Sequence, residues 1–326
     1  MSSLPIADLS YRGYDGPLEP PTFRWRCIAK NIVLRAMRDR LNWVFAVLGG
    51  GYFWVMIIVL AVMQQQAASS MPVASGAPPM PNPFTSMMDR IIWKDQFLHG
   101  ISMAQMWLMF ITLRVGAGSI ANDNRSNALL VYLSKPCTKM DYLVGKVVGI
   151  SLALLVFLAL PSVVFYLYGT LSFREFGFLS NDPWIGPKLL LILPIISTFY
   201  ACLSVGISSL FQQGRLAGAA FASLYLISLF VTNIMAGMWF MMRNSDATAF
   251  QMQLLTRAFY MSIDGQAIGL TKIILNTRGG STFMETRSIE GVPIPEWWLV
   301  GGIVIGLSTL GLALAWKKIR AVEVVG

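Results

Sequence analysis

The chain has 326 residues, of which 55% are hydrophobic and only 13% charged, and its mean hydropathy is +0.60. A water-facing domain carries about 25% charged residues, so this composition excludes an ordinary soluble fold and suits a lipid-facing one. The net charge of +9 sits mostly outside the apolar runs, which points to an anionic lipid surface rather than nucleic acid.

Residues 1–22 form a cytoplasmic N-terminal segment. Tyr11-Arg12-Gly13-Tyr14-Asp15-Gly16-Pro17 makes its centre turn-rich and non-helical. The two tyrosines are either anchors on a partner surface or part of a disordered tail. The first 42 residues lack an apolar core of signal-peptide type, so insertion is expected through internal segments. Residues 23–42 are amphipathic: Trp25, Ile28, Ala29, Ile32, Val33, Ala36 and Met37 recur at helical spacing, with Arg26, Lys30, Arg35 and Arg38 on the remaining face. The pattern predicts an interfacial helix lying in the membrane plane. The competing reading is a cytoplasmic helix covering a soluble core.

A crossing needs roughly 20 mostly apolar residues. Six stretches qualify: Trp43–Met63, Ile101–Ile120, Tyr142–Tyr168, Pro187–Phe211, Leu216–Met241 and Trp297–Trp316. The predicted fold is an all-α integral membrane protein of about six transmembrane helices, its six-span domain covering 43–316 and a tail covering 317–326. Continuous rather than alternating apolarity argues against a β-barrel. Arg35, Arg38, Arg40, Arg125, Lys135, Lys139, Arg215, Lys317, Lys318 and Arg320 fall on one side of this plan. Basic residues favour the cytoplasmic side, so both termini are expected inside. External loops are then 64–98, 170–186 and 242–296. In the last of these, Ala249–Leu275 has room for one or two short helices. Arg257, Asp264 and Lys272 argue against a full span there, leaving a cap over an outer mouth or a partly re-entrant segment.

The loop 121–141 carries the most information. Arg125–Leu133 predicts a short helix, and Pro136 stops it because the residue before proline avoids helical angles. Thr138 and Asp141 have capping-box spacing, so the third crossing starts there. A short cytoplasmic helix between two long ones suits a lever pushed by a soluble partner.

Asp123, Arg125, Ala128, Leu129, Leu133, Ser134, Pro136, Lys139, Gly145 and Lys146 resemble the pattern of type-2 ABC exporter permeases at this loop. The N-terminal Tyr-Arg-Gly-Tyr-Asp-Gly-Pro, the C-terminal Arg320-Ala321-Val322-Glu323-Val324-Val325 and the six-span plan resemble one bacterial branch of that family. The chain departs from the family at Asp123 and Asn127-Ala128, where glutamate and glycine-threonine are frequent. The resemblance implies a permease subunit in the bacterial inner membrane. Its partners would be cytoplasmic ABC ATPase subunits, membrane lipids and a second permease chain, identical or different. It implies that 122–140 is the coupling helix, with Asp123, Arg125, Leu129, Tyr132, Leu133, Lys135 and Pro136 meeting the ATPase.

No G-x-x-x-x-G-K-[ST] phosphate loop occurs, so no cofactor is expected on this chain, and ATP and magnesium would be bound by the partner. No nucleic-acid partner is expected. The rival reading is a membrane scaffold or a channel-like protein without ATP coupling. An intramembrane enzyme would need paired acids or histidine clusters within the spans, and His99 stands alone. Cys27, Cys137 and Cys202 are widely spaced, which suggests neither a disulfide framework nor a zinc site.

Three polar residues within the spans are candidate pathway or gating groups. Arg114 either snorkels or pairs with a coupling-loop carboxylate, or it takes a substrate or gating role. Gln105 and Asn233 either bond between helices or line the pathway. Gly302 with Gly306, and Gly145 with Gly149, have the spacing of close helix packing. Pro161 and Pro194 are expected to kink spans three and four.

Overall fold

The computed structural model describes residues 23–69, 88, 91–126, 138–174, 176–243, 248–279 and 291–319. All regular structure among them is helical. The chain opens with α1 (Trp25–Arg38), α2 (Arg40–Gly49) and α3 (Gly51–Ser69), followed by α4 (Trp93–Val115), α5 (Ala121–Arg125) and α6 (Lys139–Ser172). Then come α7 (Phe178–Asn181), α8 (Ile185–Ser209), α9 (Gly214–Arg243), α10 (Ala249–Tyr260), α11 (Ile263–Leu275) and α12 (Trp297–Lys318). By length and apolarity α6, α8, α9 and α12 can each cross a membrane, and α2 with α3, bent by 52° at their junction, passes the same test only as a pair, as a broken span or a re-entrant loop would. At 1.5 Å per residue α4 is about 34 Å long, but Lys94, Asp95, His99, Gln105 and Arg114 dilute its apolar character. Its Gln96, Gln105 and Thr112 are buried in the bundle.

The first expected span is therefore not one rod. It breaks at Gly50, where a Cβ would come within 2.6 Å of Pro161 Cβ. Helices α6 and α8 run unbroken through Pro161 and Pro194. The start of α6 follows its sequence signal: Thr138 Oγ1 accepts from Asp141 N at 3.1 Å, and the Asp141 carboxylate accepts from Thr138 N at 3.1 Å. Two orphan donors of the first turn are thereby satisfied.

The apolar stripe of α1 rests on α6, because Gly145 and Gly149 let it approach. A Cβ on Gly145 would lie 2.8 Å from Ile28 Cβ, and one on Gly149 would lie 2.9 Å from Ala29 Cα. Among the described residues nothing lies within 4 Å of a Cβ at Gly302 or Gly306, so no packing partner of that pair is described. The tight crossing is between α8 and α12 instead, at Gly206 and Gly311.

The segment between α9 and α12 is a helical hairpin that turns back into the bundle. Helix α10 packs along α9, and α11 contacts α4, α8, α9 and α12. Its turn is fastened to the middle of α9: Ile263 N donates to Ser228 Oγ at 2.6 Å, and Thr232 Oγ1 donates to Ser262 Oγ at 2.6 Å. Ser262 also caps α11 by accepting from Gly265 N. Two of the hairpin's charges find partners that sequence spacing hides. Arg257 pairs with Glu296 at 3.1 Å, and buried Lys272 donates to the Val292 carbonyl at 2.8 Å.

At the end where α6 finishes, Asp182 accepts from Lys188 at 2.6 Å and Lys94 at 3.1 Å, joining α4 to the start of α8. Burial raises its carboxyl, but the two lysines and the Trp184 amide outweigh that and hold it below the usual range. A depressed carboxyl contributes stability that is present above its unfolded value of about 3.9 and lost as pH falls through the folded value. Thermal unfolding of the wild type should therefore shift down between pH 5 and pH 3, and Asp182→Asn should flatten that shift. Identical pH slopes would contradict the tether.

Candidate functional site

At the opposite end, α5 is locked to three of the long helices. The Asp123 carboxylate accepts from Tyr142 Oη at 2.7 Å and pairs with Lys146 Nζ at 2.8 Å, both on α6. Lys146 also donates to the Ser119 carbonyl at 2.9 Å. Ser208 Oγ, near the end of α8, accepts from Ile120 N and Ala121 N at 3.0 and 3.1 Å. These are amides that a helix start leaves unsatisfied. Asn122 lies against Gly214, where α9 begins. A short helix is described at Ala121–Arg125, and the expected helix Arg125–Leu133 lies, beyond Ser126, outside the described residues. Of the expected coupling residues, Asp123 and Arg125 are thus placed, the latter exposed. Leu129, Tyr132, Leu133, Lys135 and Pro136 lie outside the described residues.

Arg114 does not pair with a coupling-loop carboxylate. Its guanidinium reaches the joint between α1 and α2, where it bonds Asp39 and donates through Nε to Asn42 Oδ1 at 3.1 Å. The same joint closes the end of α1: Asn42 Nδ2 donates to the Ala36 carbonyl at 3.0 Å, and Trp43 Nε1 to the Met37 carbonyl at 2.8 Å. Asp39 in turn accepts from Leu41 N at the start of α2. The Arg114 hydrogen bond holds the Asp39 carboxyl below the usual carboxylate range. A sequence view could not find this pair, because its members lie 75 positions apart.

The other two candidates fall in the middle of the bundle. Gln105 is buried and accepts from Tyr200 Oη on α8 at 2.7 Å, while its amide nitrogen has no partner. Asn233 donates to the Leu229 carbonyl of its own helix at 2.8 Å and lines a cavity of about 410 Å³. That cavity lies between α2, α3, α4, α9 and α11, and Asp264 from the hairpin shares it. The sequence marked Asp264 only as an argument against a span.

A bundle of long apolar helices, with basic side chains gathered at one end and a short braced helix between α4 and α6, fits a multi-pass membrane transport subunit. The family model for ABC-2 family transporter proteins matches residues 27–285, and the chain belongs to that family. No curated protein matches the chain.

Proposed function

We propose that this chain is the permease subunit of an ATP-driven ABC exporter, contributing to the translocation pathway and driven by a separate ATPase. Family membership supports the permease reading. The observation that carries the coupling is the bracing of α5. Asp123, Ser119 and the Ile120 and Ala121 amides tie it to α6 and α8, and Asn122 abuts α9. Force applied at 121–126 would be passed to several crossings at once, instead of being lost in a loose loop.

The end bearing α5 also gathers Arg35, Arg38, Arg40, Arg114, Arg125, Lys139, Arg215, Lys317 and Lys318. By the positive-inside bias that end is the cytoplasmic one, with both termini inside a bacterial plasma membrane. The ATPase subunits would bind ATP and magnesium, and a second permease chain, identical or different, would complete the pathway. Gating by Arg114 would run through its bond to Asp39, which links the second crossing to the in-plane helix.

The test is recovery of an ABC ATPase with the affinity-purified chain. Leu133→Asp should reduce that recovery at least tenfold while membrane insertion is unchanged. Equal recovery by wild type and variant would remove the lever assignment. Absence of any ATPase from the wild-type complex would favour a scaffold or channel.

A further inference from the structure

The central cavity carries a feature that coupling and packing leave unused. Asp264 is 3% exposed, yet among the described residues neither of its carboxylate oxygens has a partner at full hydrogen-bond geometry. Among the described residues no lysine or arginine forms an ion pair with it. The Tyr225 hydroxyl lies beside it and is the polar group that favours its charged form, at less than full hydrogen-bond geometry. Buried carboxylates are ordinarily paired, because an isolated one loses its hydration without replacement. Here the carboxylate instead lines a space of about 410 Å³, within the usual range for small-molecule pockets of roughly 300–1,000 Å³. Asp264 is held in place from behind. It sits in the first turn of α11, whose start is fixed to Ser228 and Thr232 of α9 through Ile263 and Ser262.

The remaining walls define what would fit. Among the described residues Asp264 is the only charged one lining the cavity, and Tyr52, Ser102, Trp107, Tyr225 and Asn233 are among its neighbours there. Aromatic faces attract organic cations through their quadrupole, and most strongly where water is excluded. Most of the lining is apolar, which suits a hydrocarbon body more than a hydrated metal ion. The mouth is flanked by Leu48, Val55 and Met106, all exposed on the chain surface. An amphipathic molecule could enter from the side without crossing a polar barrier.

We propose that this cavity binds an amphipathic organic monocation of the ammonium class, its charge on Asp264 and its apolar body against the α3, α4 and α9 walls. Within the permease reading, this site would give the pathway a preference for cationic amphiphiles. The binding itself needs neither nucleotide nor ATPase. A failure of coupling would therefore leave the binding result standing, and a failure of binding would leave coupling untouched.

The full chain, purified and placed in lipid nanodiscs, is titrated with octyltrimethylammonium and with its uncharged tert-butyl isostere. Wild type should bind the cation at least tenfold more tightly than the isostere. Asp264→Asn should erase that preference and Asp264→Glu should keep most of it. Ser102→Trp, which adds bulk to the α4 wall of the cavity, should abolish binding of both probes. Equal affinity for the two probes overturns the proposal, as does an Asp264→Asn chain that keeps the preference. Sodium binding at this carboxylate with no binding of octyltrimethylammonium overturns it as well.

Discussion

Replacing Gly311 with leucine should cost about 3 kcal/mol or more, the upper end for overpacked sites, and should sharply lower the yield of folded protein. The reason is what the new atoms would meet. A Cβ at Gly311 would stand 2.6 Å from the Cys202 carbonyl oxygen, and one at Gly206 would stand 2.5 Å from Gly311 Cα. Both obstacles are backbone, so no side chain can swing aside, and α8 and α12 would have to separate. These two helices share one of the most extensive contacts in the bundle. Gly302→Leu on the same helix is the control, because a Cβ there meets nothing within 4 Å. The check is thermal stability of the two variants in detergent, alongside recovered yield. Equal behaviour of Gly311→Leu and Gly302→Leu would show that the crossing is not at Gly206 and Gly311.

The second large effect concerns Asp123. Its partner Lys146 has a side chain only 9% exposed, and Asp123 itself is 19% exposed. Breaking a buried ion pair from one side costs about 3–5 kcal/mol, because the remaining charge is stranded. Asp123→Ala should fall near the lower end, since Lys146 keeps the Ser119 carbonyl as acceptor. Replacing both partners, as Asp123→Ala with Lys146→Met, should recover much of the loss, because no buried charge is left. A thermal-shift double-mutant cycle measures this directly. Additive losses in the cycle would mean that the two side chains do not act as a pair. Under the coupling proposal, Asp123→Ala should also lower cargo-stimulated ATPase activity in the reconstituted complex, since α5 would lose its grip on α6.

Much of the architecture was legible because long apolar runs leave little choice. In a bilayer core only intra-helical hydrogen bonds satisfy such a backbone. The capping box at Thr138 and Asp141 was equally local and could be read from spacing alone. What the sequence hid depended on partners far along the chain. Arg257, Asp264 and Lys272 read only as arguments against a full span, and the sequence did not show that Arg257 and Lys272 meet Glu296 and the Val292 carbonyl or that α11 packs against four other helices. Arg114 looked toward the nearby loop and instead found Asp39. The break at Gly50 left no trace in hydropathy; it falls in the run Gly49-Gly50-Gly51, where glycine weakens a helix, and Pro161 of α6 packs close to it. Of the two glycine pairs chosen by spacing, one packs on α1 and one meets open space. The closest crossing uses Gly206 and Gly311, which lie on different helices and form no local motif.

The inward-turning hairpin has a consequence for how the molecule is assembled. Helices α6, α8, α9 and α12 can enter a bilayer individually, on their own apolarity. Helices α10 and α11 cannot, because they bring Arg257, Asp264 and Lys272 with them. They become tolerable at depth only once Ser228 and Thr232 are there to receive the turn, and Val292 to receive Lys272. The hairpin's seat is therefore complete only when α9 and the segment before α12 are both in place.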